Sequence, residues 1–233
     1  MKKKTIVLAS MFLISFAIGG KEASALVSSS SKSENKIKFI PGEGVVTPPV
    51  DPVNPSNPNP TNPIDPTDPE NEGTGQKGPL SIDYVSNLKF GEHKISGKDN
   101  IYKALNANPF VQVTDLRGAG DGWSLSAKMT PFTSKNNQVL KGATLAMADS
   151  VIKAGSVSNV SVAPVKSDVL FDNTDSKLIM NAKDKGGRGT WLNVWSGTDQ
   201  ANEAIKLTVL AGTPEANTEY TSSITWELED APK

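Results

Sequence analysis

Three groups of side chains in this 233-residue chain could do chemistry. They are carboxylates gathered in one loop, arginines set among glycines, and tryptophans at strand spacing. Asp168, Asp172 and Asp175 lie between Val165 and Ser176. Paired carboxylates are what glycoside hydrolysis uses, one as acid and one as base or nucleophile. Nothing in this loop fixes the separation that reaction needs, and solvated loop acids are the commoner reason for such a group. The EF-hand pattern of calcium ligands is also missing. The chain has no cysteine, which removes thiol nucleophiles, disulfides and thiolate metal sites. Its one histidine, His93, follows Gly91-Glu92 in an expected exposed turn, so a histidine-based triad or metal site has too few members. The expectation is a protein that is not an enzyme and uses no metal and no cofactor.

Binding chemistry is better represented. The two arginines, Arg117 and Arg188, each sit in a glycine-rich stretch that leads to a tryptophan. One reads Asp115-Leu116-Arg117-Gly118-Ala119-Gly120-Asp121-Gly122-Trp123, the other Lys185-Gly186-Gly187-Arg188-Gly189-Thr190-Trp191. Neither is a phosphate loop, because the glycine spacing is wrong and a strand follows, not a helix. The guanidinium groups could face a ligand. The commoner role is to cap loop carbonyls or pair with Asp115 or Asp121.

The tryptophans depend on strands for their placement. Tyr220, Ser222, Ile224, Trp226 and Leu228 alternate with Thr221, Ser223, Thr225 and Glu227, which is the period of an extended strand. A second Trp-x-Leu, Trp123-Ser124-Leu125, opens a run in which Trp123, Leu125, Ala127 and Met129 share one face. Partners such as Ile224 and Leu228 favour burial, so the motif residues are expected to be structural. Trp191 and Trp195 share a face with polar Asn193 between them, and are the better candidates for an exposed binding platform.

Further short alternating runs occupy Leu80 to Val85, Phe110 to Thr114, Thr190 to Trp195 and Ile205 to Leu210. Val139 to Ala148 is ambiguous between strand and helix. Residues 80–233 therefore predict a mainly β protein, a single antiparallel β-sandwich or barrel-like domain. Residues 48–79 precede it as a proline-rich spacer and hinge. Asn-Pro and Asp-Pro dipeptides recur there about every three residues, which suggests a solvated polyproline II rod. Residues 26–47 form an N-terminal segment in which 35–40 can make a strand, provided something pairs with it. Residues 1–25 read as a secretory signal peptide: a lysine-rich start, a short apolar run, and Ala23-Ser24-Ala25. They hold four lysines and one glutamate, so the net charge of −1 becomes −4 without them. That balance argues against a nucleic-acid binder. With a leader, no lipidation cysteine and no Leu-Pro-x-Thr-Gly sorting motif, the expectation is a secreted protein held at the surface by binding.

The two Trp-x-Leu strands carry a resemblance. The chain resembles WxL-domain proteins, surface proteins of low-GC Gram-positive bacteria defined by two such motifs. The first stands here as Gly122-Trp123-Ser124-Leu125-Ser126-Ala127, and the second as Tyr220-Thr221-Ser222-Ser223-Ile224-Thr225-Trp226-Glu227-Leu228 followed by Ala231-Pro232. Gly78-Pro79-Leu80-Ser81-Ile82-Asp83-Tyr84 and the signal, spacer and domain layout fit too. Ile224 departs from the leucine usual in that family. The resemblance implies non-covalent attachment to the cell wall with peptidoglycan or another wall glycan as ligand. It also implies assembly with larger WxL proteins and a membrane-anchored WxL-interacting protein, and a part in adhesion to host extracellular matrix. A protein–protein subunit that binds the WxL-interacting protein without touching glycan is the alternative. Edge-strand addition, with 35–40 as donor, would be its mode.

Overall fold

The computed structural model describes residues 29–60 and 64–232. The expected signal peptide lies outside these residues. All regular structure among them is β, as the alternating runs predict, and no helix is assigned.

Three four-stranded antiparallel sheets enclose one core. The first runs β1 (Leu80–Val85), β3 (Phe110–Asp115), β11 (Gly189–Val194), β7 (Val151–Ala154). The second runs β14 (Ile224–Glu229), β4 (Trp123–Met129), β10 (Lys177–Ala182), β8 (Val165–Lys166). The third runs β2 (Asn100–Ala104), β12 (Asn202–Val209), β6 (Thr144–Met147), β9 (Val169–Phe171). A small pair, β5 (Thr133–Ser134) and β13 (Tyr220–Thr221), leads into the last strand. The ambiguous run at Val139 to Ala148 resolves as strand β6 after a turn at Lys141-Gly142.

The core draws on all three sheets. Val111, Val113, Trp191 and Trp195 come from the first sheet's inner side, Trp123, Leu125 and Met180 from the second, Leu145, Phe171 and Ile205 from the third. Alternation sends the other side chains of the first sheet to its back. There Tyr84, Phe110, Leu192 and Val194 form a second cluster, with the rings of Tyr84 and Phe110 stacked 4.4 Å apart.

That back face is not left to water, because the proline-rich residues lie across it. Val50 and Ile64 pack on its apolar cluster. The Gln112 amide, fully buried, accepts from Val50 N at 2.9 Å and donates to the Pro48 carbonyl at 3.1 Å. Lys153 Nζ donates to the Pro52 carbonyl at 2.6 Å. Asn106 donates to the buried Asp65 carboxylate at 2.7 Å, and Asn87 to buried Asp68 at 2.7 Å. In place of the solvated rod expected in the proline-rich spacer, its described residues form a strap docked on the sheet. Its period of three has another cause. Asp51, Asn57 and Asp65 each accept the backbone N–H two residues on, at 2.7, 3.0 and 2.9 Å. These are Asx turns with proline presetting φ at the next position. The signal of polyproline II and that of successive Asx-Pro turns are the same in sequence.

Residues 35–40 form no strand. Ile37, Phe39 and Ile40 are 80%, 83% and 78% exposed. An extended segment needs a partner to become a strand.

Candidate functional site

The two Trp-x-Leu motifs lie on neighbouring antiparallel strands. Leu228 of β14 sits opposite Leu125 of β4, Trp226 opposite Ala127, and Ile224 opposite Met129. The small methyl group of Ala127 leaves room beside it for the Trp226 indole. Alternation is thus correct for both strands, and Ile224, Trp226 and Leu228 all turn toward the core.

Their surroundings differ because β4 is central and β14 is at the edge. Trp123 and Leu125 are fully buried. The Trp123 indole N–H donates to the Gly187 carbonyl at 3.1 Å, so the polar end of the ring is satisfied inside the core. Gly187 holds φ at 72°, and a Cβ there would meet the Trp123 ring. This contact requires glycine on both counts.

The two arginine loops interlock around the same tryptophan. Arg117 clasps Asp115 through Nε at 3.0 Å and Nη2 at 2.8 Å, and Nη2 also donates to the Gly122 carbonyl at 2.6 Å. Asp115 is buried, and its hydrogen bonds push the guanidinium pKa up from an already high value. Arg188 crosses from the other loop and donates to the Ala119 carbonyl at 3.1 Å. Its guanidinium lies against Gly120, where any Cβ would collide with it. The commoner of the two roles weighed for these arginines, carbonyl capping and carboxylate pairing, is the one the geometry displays. The resemblance between the loops has a physical reason: they are two halves of one junction.

Trp191 and Trp195 do not form an exposed platform. They are 5% and 1% exposed, on the core side of β11. Asn193 between them is fully buried as well. The polar residue suggested a wet face, but β3 and β7 flank β11 and the other sheets close over it. Sheet position overrides the residue's preference. Tyr220 is half-buried in the small β5–β13 pair and packs against Leu140, Leu207 and Val209. It has a structural part, as its place in the motif suggests.

An open groove of about 720 Å³ lies between the edge strand of the first sheet and that of the second. Leu80 and Ile82 of β1 form one wall and Trp226 and Leu228 of β14 the other. Arg117, Glu229, Asp230, Gln76 and Pro79 complete the lining. The outer edge of β1 is already covered: the Thr74 N–H and hydroxyl donate to the Asp83 and Ile82 carbonyls at 2.9 and 2.5 Å. On β14, Ile224 to Leu228 have no strand beyond β4 among the described residues. Apolar walls, a half-buried indole, charges of both signs and an unpaired strand edge therefore meet at one place.

A family model for the WxL domain, described as surface cell wall-binding, matches residues 26–232. The chain belongs to this family. The match covers both Trp-x-Leu strands, the interlocked loops and the strap. Neither the curated proteins nor the solved structures yield a match. A WxL domain associates with the cell wall at the surface, and the paired tryptophan strands are therefore placed in a wall-binding domain. Of the groove's lining, the motifs carry Trp226 and Leu228 and the first glycine loop carries Arg117; nothing in the sequence marks Gln76, Glu229 or Asp230 as their neighbours.

Proposed function

We propose that this WxL protein is secreted, and is held on the wall through the groove between β1 and β14. Wall glycan, peptidoglycan above all, is the ligand. The observation that carries the reading is Trp226: a motif tryptophan that is half-buried on an edge strand, beside charged groups, in a domain of a wall-binding family. An indole face is a surface on which a sugar ring can stack, and neighbouring polar groups can orient the sugar hydroxyls. The role is binding and not hydrolysis. Asp168 and Asp172, the acids that could have suggested catalysis, are held by Lys166 at 2.8 Å and Lys177 at 3.3 Å on the surface. Retention of the purified chain on wall sacculi tests this. Trp226→Ala is expected to lose retention while staying folded; undiminished retention rules the groove out. Clearing of wall substrate in a zymogram would reverse the assignment as a binder.

The open edge of β14 favours a second reading, in which the groove takes an extended segment of another protein by strand addition. A membrane-anchored WxL-interacting protein and larger WxL proteins are the partners this reading names, and host-matrix adhesion would be a property of the assembled complex. Failure to bind bare sacculi, together with binding to the purified membrane partner, would select it over direct glycan contact.

A further inference from the structure

We propose that the groove also receives residues 35–40 of a second copy of this chain, as an added strand on β14. The inference rests on the groove being a docking site, and names one of its occupants.

Two unmet requirements in the molecule answer each other. The segment Asn35-Lys36-Ile37-Lys38-Phe39-Ile40 is extended, and presents three large apolar side chains to water. In an extended strand Ile37 and Phe39 fall on one face, Lys36 and Lys38 on the other. The groove offers Trp226, Leu228, Leu80 and Ile82 for an apolar face. Its lining includes Glu229 and Asp230, near which the lysines would find opposite charge. The β14 backbone supplies the ladder of donors and acceptors that an added strand needs.

The occupant comes from another molecule. Gly42 N–H donates to the Leu116 carbonyl at 3.1 Å, beside groove residue Arg117. Even so close to that anchor, Phe39 and Ile40 stand exposed, so the tether does not lay them in their own groove. Donor and acceptor are different surfaces, so the association is head-to-tail. It also competes with any wall ligand for Trp226.

The test uses the chain from residue 26, which contains every described residue. Equal amounts of ¹⁴N- and ¹⁵N-labelled chain are mixed and treated with a zero-length carbodiimide, which joins lysine to carboxylate. Mass spectrometry is expected to find Lys36 or Lys38 joined to Glu229 or Asp230 in mixed-isotope pairs. Sedimentation velocity is expected to show species larger than the monomer as concentration rises. An Ile37→Asp/Phe39→Asp chain should lose both, with association weakened about tenfold or more by the loss of two apolar anchors. Both positions are exposed, so the variant leaves the domain folded. A chain that stays monomeric, same-isotope links only, or mixed links that survive in the variant would each overturn the proposal. Sacculus retention is read separately. Lost self-association with Trp226-dependent retention intact removes this inference alone. Mixed links without retention remove wall-glycan binding alone.

Discussion

Two copies of one three-residue motif have opposite fates in this protein. Trp123-Ser124-Leu125 is on a central strand, with β10 on one side and β14 on the other. Trp226-Glu227-Leu228 is on an edge, with one neighbour and a groove. The first tryptophan is sealed, its N–H bonded to a carbonyl that only a glycine loop brings near enough. The second shows part of its ring to solvent. What separates them is strand order and not residue type. A motif can therefore mark a fold and still contribute one residue to a site.

The largest effect that would sharpen this contrast is the loss of the sealed ring. Trp123→Ala leaves a void where three sheets meet, and should cost about 3–5 kcal/mol in chemical denaturation. Trp226→Ala removes a ring that is only part-buried, and should cost about 1–2 kcal/mol. If the two losses are equal, the distinction between core and edge fails. Gly187→Ala comes next. It strains a left-handed backbone and drives a methyl group into the Trp123 ring, for a loss of about 1–3 kcal/mol, while wall retention of the folded fraction is unchanged.

The strap gives a smaller effect on a different face. Gln112→Ala strands the Val50 N–H and the Pro48 carbonyl, and should destabilise by about 1–2 kcal/mol. Amide exchange should speed up around Val50, and Trp226-dependent binding should be unaffected. The smallest effect is in pH dependence. Burial raises the Asp83 pKa above its ordinary value of 3.8, against hydrogen bonds from Thr114, Ser81 and Gln112. The folded state thus favours the protonated acid. Its stabilising contribution is complete below the unfolded value and fades as pH rises through the raised one. Asp83→Asn, neutral throughout, should flatten the corresponding part of the stability curve, which begins as pH rises above the ordinary value of 3.8.

Much of the fold was legible because the alternating strands are locally self-consistent. β4 and β14 keep core-facing apolar residues at a period of two, whereas β1 does so only as far as the bulge between Ile82 and Tyr84, which sends those two side chains to opposite faces. The strand β10 was not, because Leu178-Ile179-Met180 is a continuous apolar run, and a bulge between Leu178 and Met180 turns two successive side chains inward. Asn193 misled for a related reason: a buried polar side chain looks in sequence like a solvent-facing one. The strap is not legible in the sequence, because Asx-Pro repeats do not encode whether water or a sheet covers them.

Residue types and their spacing are enough to make this a β protein of the WxL family, with an arginine in each of two glycine loops and tryptophans on strand faces. Those are local facts, set by side-chain period and backbone permissiveness. Only the tertiary structure decided that the two loops clasp one another, that the proline segment lies on a sheet, and that Trp226 borders a groove while Trp123 does not. Neighbours distant along the chain make those choices. Burial depends on which strand lies beside which, and no window of residues contains that.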